Sequence, residues 1–264
     1  MLPMRCVAFL FAALVLSPAK AADPVEAIDP QSAEIVMRAA EFLVAQQRFS
    51  FNWFVAVDRV FDDNEKITFV RSGNTVMSRD GGFVAHSERD GKLRDFYYDG
   101  SNFTVASPSE EFYSTIPFTG GFDALVEAVR EYTGTILPLW SLMSPNLADG
   151  LLDDVESGTY LGVTLVAGRE AHHLAFREAE VDWQVWISTD DDTPLPIMIV
   201  GTEKTEAGLP QYRVFMNDWD LAPAIDPQQF RFSPGEEYIR VSLPVQIKPA
   251  DGDGAAPAQD TGSE

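Results

Sequence analysis

The chain has 264 residues, 41 of them Asp or Glu and 19 Lys or Arg, for a formal net charge of −22 and a pI near 4.3. So acidic a polymer is repelled by phosphate backbones and, in bulk, by anionic lipid surfaces, which excludes nucleic acid as an expected partner. With 45% hydrophobic and 11% aromatic residues the chain has enough apolar material for a sizeable core, which excludes wholesale disorder.

Residues 1–21 read as a cleaved secretory signal. Arg5 supplies the positive charge, Val7 to Leu16 is an apolar run of ten residues, and Ala19-Lys20-Ala21 puts small residues at −3 and −1 before Ala22. A run of that length is too short for a helix across roughly 30 Å of hydrocarbon. Cys6 lies inside this segment, ahead of the apolar run, so it is not a lipidation cysteine, and no other cysteine follows. Disulfides, thiolate catalysis and cysteine metal sites are thereby excluded from the mature chain. The expected location is the periplasm, and the expected form a monomer.

Asp29-Pro30 is a helix start, with Asp as N-cap and Pro at the first helical position. Ile35, Val36, Ala39, Phe42 and Leu43 then recur at helical spacing, which predicts a helix over 30–47. From Phe49 the period becomes two: Phe49, Phe51, Trp53, Val55 and Val57 alternate with Ser50, Asn52, Phe54, Ala56 and Asp58. Ile67–Met77 is the next strand. Asp80-Gly81-Gly82, Asp90-Gly91 and Asp99-Gly100 then mark tight turns between short runs at 83–88, 94–98, 102–106 and 112–116.

Phe122, Leu125, Val126 and Val129 predict a second helix over 121–132, and Leu139, Trp140, Leu142 and Met143 open a third over about 138–152. Strand patterns resume at 155–167, 171–177, 181–188, 195–202 and 211–217, with a last short strand around Phe230 and Phe232. The connections are short, so residues 22–243 read as one domain with a helical insertion at about 120–153. Residues 244–264 hold almost nothing to bury and read as a disordered acidic tail; Asp251-Gly252-Asp253-Gly254 lacks the spaced ligands of a calcium loop.

No catalytic motif is present: there is no nucleophile elbow, phosphate loop or His-Glu-x-x-His. Adjacent His172 and His173 point to opposite faces of a strand and are not a metal pair, and Asp190-Asp191-Asp192 reads as a solvated hairpin loop. No catalytic residue, metal ligand or cofactor is assigned. The positive signal is large apolar side chains on strands and helices together. Phe51, Trp53, Phe69, Phe96, Tyr98, Phe103, Leu161, Leu165, Phe176, Trp183 and Ile187 are placed on one concave surface, with Phe42, Val126 and Trp140 on the helices that cover it. Two readings fit: a filled core, or a cavity for an acyl chain or another apolar ligand.

Phe96-Tyr97-Tyr98-Asp99-Gly100, Tyr113, Leu137-Pro138-Leu139, the run from Gly168 through His172-His173-Leu174-Ala175-Phe176-Arg177, Asp182-Trp183-Gln184-Val185-Trp186-Ile187, Leu195-Pro196 and Asp218-Trp219-Asp220-Leu221 together resemble DUF2092, a family of predicted periplasmic proteins. The order of elements resembles the lipoprotein carriers LolA and LolB. That resemblance implies a mainly β (α+β) fold, a half-open antiparallel barrel whose strongly curved sheet of about eleven strands carries helices on its concave face. It also implies a non-enzymatic carrier or binding protein for a lipid, acyl chain or lipoprotein, or else a regulatory, envelope-stress sensing domain that binds a partner protein, with Trp186 the nearest surface candidate. A hydrolase with an unrecognised site is the third alternative.

Overall fold

A computed structural model describes residues 27–61, 65–133 and 138–242. The expected signal and acidic tail lie outside the described residues. Helix α1 (Pro30–Ala45) starts as its sequence dictates: Asp29 caps it by accepting from the Gln31 amide at 2.8 Å, and Pro30 occupies the first turn. Its buried stripe is Ile35, Val36, Ala39, Ala40 and Leu43, the spacing of one helix face.

Strands β1 (Arg48–Val60) and β2 (Lys66–Ser78) form a long hairpin. Phe49, Phe51, Trp53 and Val55 are buried on its inner face, while Asn52 and Phe54 are exposed on the outer one, so the period-two register holds. The meander continues through β3 (Gly82–Arg89), β4 (Lys92–Tyr98), β5 (Asn102–Ser107) and β6 (Phe112–Pro117). Then come helix α2 (Phe122–Thr133), the single turn α3 (Pro138–Ser141), and turns through Asp154. The expected third helix over 138–152 is thus one turn only; Ser144-Pro145, Asn146 and Gly150 favour successive turns, in which Asn146 donates its amide to the Ser144 hydroxyl.

The second meander is β7 (Ser157–Val166), β8 (Arg169–Arg177), β9 (Val181–Ser188), β10 (Pro196–Glu203) and β11 (Gln211–Asp220), followed by β12 (Ile239–Arg240). Phe230 belongs not to a strand but to a 3-10 turn, Pro227–Phe230, capped by Asp226 as α1 is by Asp29. All twelve strands form one open sheet in the order β12-β6-β5-β4-β3-β2-β1-β11-β10-β9-β8-β7, one strand more than expected because Ile239–Arg240 joins the edge in parallel with β6. Each remaining pair is antiparallel, and the two meanders meet where β1 pairs with β11. The fold is therefore mainly β, a curved unclosed sheet with few helices.

The helices cover the inner face in two places. The insertion is seated by Trp140, whose ring lies 5.5 Å from Phe83, 5.9 Å from Phe96 and 6.3 Å from Phe103. Helix α1 packs Ile35, Val36 and Ala39 on Leu174, Phe176, Val185 and Ile187. Arg79, at the β2–β3 turn, ties both together: its guanidinium donates to the carbonyls of Gln46 (2.8 Å), Leu43 (2.9 Å) and Met143 (3.1 Å). A cation here also complements the negative end of α1.

Candidate functional site

Between the α1 contacts and the insertion contacts the space above the inner face is left unfilled, and a cavity of about 430 Å³ lies there. That is the size of a small-molecule cleft. Its roof is Val36, Ala39, Ala40 and Leu43 of α1, Val126 of α2, and Trp140, Leu142, Leu147 and Leu151 of the insertion. Its floor is Trp183, Val185 and Ile187 of β9, Pro196 and Ile199 of β10, and Tyr212 of β11. The space has a simple local cause. The middle of the α1 stripe is two alanines, so the helix is held on the sheet by Ile35, Val36 and Leu43 at its flanks while little side chain fills the centre.

Few polar groups reach the cavity. Glu178 accepts a hydrogen bond from the Trp183 indole at 2.5 Å, and Lys204 donates to the Glu178 main-chain carbonyl and pairs with Asp182 at 3.0 Å. Burial, and then the charges of Glu178 and Glu203, raise the pKa of Tyr212, so its phenol stays neutral across the physiological range. The lining is thus apolar with one carboxylate fixed at its edge, which suits an apolar ligand held by shape and burial. Among the described residues no group of three or more His, Cys, Asp or Glu stands ready to hold a metal.

Of the residues placed on the concave surface by sequence, Val126, Trp140, Trp183 and Ile187 line the cavity. Phe176 stacks behind its wall on Trp183, ring centroids 4.1 Å apart. Phe51 stacks on Trp219 at 4.3 Å, Trp53 donates its indole N–H to the Thr75 hydroxyl at 3.1 Å, and Phe96 packs against Phe103 and Trp140; these three belong to the filled part of the core. Tyr98 is buried in the same cluster and donates to the Gly120 carbonyl at 2.6 Å, fixing the start of the insertion. Phe42 is half-buried on α1 beside the stripe, outside the lining. Phe69 is half-buried on the inner face of β2.

Leu161 and Leu165 correct the expectation, being 54% and 69% exposed. A bulge between Tyr160 and Gly162 inserts Leu161 as an extra residue without a cross-strand partner, out of step with the alternation on either side. Leu165 keeps the inward side, as its pairing with Glu170 requires, but α1 reaches β7 only at its start, where Asp29 donates to the Gly158 carbonyl at 3.0 Å. Trp186 is a second correction. It is only 9% exposed and stacks on His173 at 4.1 Å, in a small outer-face cluster with Val166, Ala171, Ile197 and Val200, so it offers no free surface. Ala39, Ala40, Ile199 and Tyr212 are among the lining residues that sequence reasoning passed over; of these four, only the adjacent alanines in the α1 stripe carried a readable signal.

An open, curved antiparallel sheet with an apolar cavity under a helix and a helical insertion defines the class: a half-open sheet with a helical cover. The model of the family described as predicted periplasmic protein (DUF2092) matches residues 32–243, and the chain belongs to that family of the periplasm. Among solved structures, LprF from Mycobacterium bovis is similar over 76% of this chain and 99% of its own, at 11% identity and a TM-score of 0.48. An uncharacterized conserved protein from Thermus thermophilus is similar over 81% and 99%, at 10% identity and a TM-score of 0.46. A LolA superfamily protein from Nitrosomonas europaea is similar over 75% and 96%, at 11% identity and a TM-score of 0.33. Likeness at this level extends to the general plan of the sheet and to nothing finer. No curated protein matches the chain. Among the described residues no helix is long and apolar enough to cross a membrane.

Proposed function

We propose that this protein is a non-enzymatic periplasmic binding protein or carrier for an apolar ligand such as a lipid, an acyl chain or the acyl part of a lipoprotein. The observation that carries the reading is the cavity of about 430 Å³ between Ala39 and Ala40 on one side and Trp183, Ile199 and Tyr212 on the other. A water-filled space with so apolar a lining is unfavourable, and an apolar ligand gains by replacing that water. Native mass spectrometry of gently purified protein tests it: a mass increment that extracts into organic solvent is expected, and a clean polypeptide mass that takes up no added fatty acid contradicts it.

A second reading, a regulatory domain that binds a partner protein, is favoured by one feature. Strand β7 ends the sheet; residues 27–29 pair with it at Gly158, and beyond that point it exposes Leu161, Val163 and Leu165 along an edge that pairs with no other strand among the described residues. Such an edge invites an added strand from another chain. A partner whose capture disappears with Leu165→Lys while fatty-acid uptake is unchanged would favour this reading over the carrier.

A further inference from the structure

The apolar floor of the cavity continues beyond Tyr212. Cross-strand pairing sets Phe176, Trp183, Gly201, Tyr212, Val57 and Phe69 side by side, one inner-face row running over β8, β9, β10, β11, β1 and β2. Trp183 and Tyr212 are in the cavity wall. Phe69 stands two strands further on, about 10 Å at the usual strand spacing. Gly201 keeps the row level, because a Cβ there would sit 2.2 Å from Tyr212 Cζ. The row is thus a track from the cavity to Phe69.

At the Phe69 end the chemistry changes sign. The guanidinium carbons of Arg59 and Arg89 lie 5.8 and 5.0 Å from the centre of the Phe69 ring. Arg71 is on the same face two residues along β2, opposite Val55, and is half-buried. Burial, and then the positive charges of Arg89 and Arg59, lower the pKa of Arg71, and among the described residues no carboxylate lies within ion-pair distance of it. Arg89 has a partner in Asp90 at 3.2 Å, an exposed contact through Nε alone.

Three guanidiniums gathered in a chain with 41 acidic against 19 basic residues are a local exception to its charge. Arg71, half-buried and without a carboxylate partner among the described residues, is repelled by Arg89 and Arg59, and an arriving anion relieves that repulsion. The fork of donors on arginine matches a carboxylate or a phosphate, and stacking on one ring leaves donor edges free to turn toward it. The general field of the protein repels anions, so an anionic head is accepted only where such a cluster reverses the field.

We propose that Arg59, Arg71 and Arg89, grouped about Phe69, form a subsite for the anionic head, carboxylate or phosphate, of an amphiphile whose chain lies along the row into the cavity. This rests on the carrier reading above and narrows its ligand to anionic amphiphiles.

The test compares fluorescent parinaric acid with its methyl ester on the full chain and on Arg71→Gln and Arg89→Gln. The parent should bind the acid about tenfold more tightly than the ester. Each variant should bring the acid down toward the ester and leave ester binding unchanged, with the urea midpoint read in parallel as a check on folding. Palmitate and hexadecyl phosphate as competitors then tell which head the cluster prefers. Equal affinity of the parent for acid and ester, or variants that weaken both probes alike, overturns the subsite and leaves the carrier standing. Failure of the parent to bind either probe overturns the carrier itself.

Discussion

The indole of Trp53 occupies the space above Gly73: a Cβ on residue 73 would stand 2.5 Å from Trp53 Cζ2 and 2.0 Å from the His86 carbonyl oxygen. The largest side chain of β1 is thus admitted to the core by the smallest residue of β2, its direct cross-strand partner. Gly73→Ala should lower stability by about 1–3 kcal/mol, the usual cost of forcing atoms into a filled site. A urea midpoint unchanged from the parent would mean that the indole is free to move.

Trp53 and Val126 separate core from cavity. Trp53 is 8% exposed and belongs to the buried core cluster, so Trp53→Ala should cost about 3–5 kcal/mol. Val126 borders space already empty, so Val126→Ala should cost about 1 kcal/mol or less. The order reverses for ligand uptake per folded molecule, which Val126→Ala should alter and Trp53→Ala, where it folds, should not. Denaturant melts with fatty-acid displacement read both quantities.

Arg79 is expected to be the main fastening between α1 and the insertion. Arg79→Met leaves the carbonyls of Leu43, Gln46 and Met143 without their shared donor, at a cost of about 2–3 kcal/mol. Arg79→Lys should recover only part of this, because an ammonium cannot span three carbonyls as the fork does. Amide exchange should quicken at the end of α1 and around Met143, and leave β1 and β2 slow.

Two histidines give opposite pH dependences. The hydrogen bond from His86 to Asp95, at 3.0 Å, outweighs partial burial and raises the His86 pKa. Its contribution to stability is therefore full below the ordinary histidine pKa and is lost as pH rises through the raised value. Burial, and then Arg38, lower the pKa of His172 against the opposing charge of Asp191. Protonating His172 costs the fold, so its effect is a loss of stability as pH falls through the ordinary value. Asp95→Asn should remove the first dependence and leave the second, as read by histidine NMR titrations alongside melts from pH 5 to 8.

Much of this fold is legible in the sequence because its period is simple. Phe49 to Val57 alternates without interruption, and Asp29-Pro30 caps α1 with local chemistry alone. What escaped depends on small departures. One inserted residue at Leu161 shifts the phase of alternation within β7, and two residues at Ile239 and Arg240 are too few to show a period. The Asp226-Pro227 pair was readable as a cap and predicts the turn that holds Phe230. The cavity stayed one of two open readings for another reason: it is the difference between the volume that α1 and the sheet enclose and the volume their side chains fill. Alternation reports which way a side chain points and is silent on whether opposing side chains meet. The arginine cluster escaped because Arg59, Arg71 and Arg89 are scattered along the chain and meet only through the register of β1, β2 and β3.

Ala40 tests most directly whether the space under α1 is open apolar volume ready for a ligand, because its methyl group faces that space. Ala40→Leu should fill the cavity from the helix side. Fluorescent fatty acid that the parent binds should then fail to bind, while the urea midpoint stays level or rises as new apolar surface is buried. A fall in stability of about 1–3 kcal/mol, the cost of overpacking a filled core, with the parent binding no probe, would contradict the account.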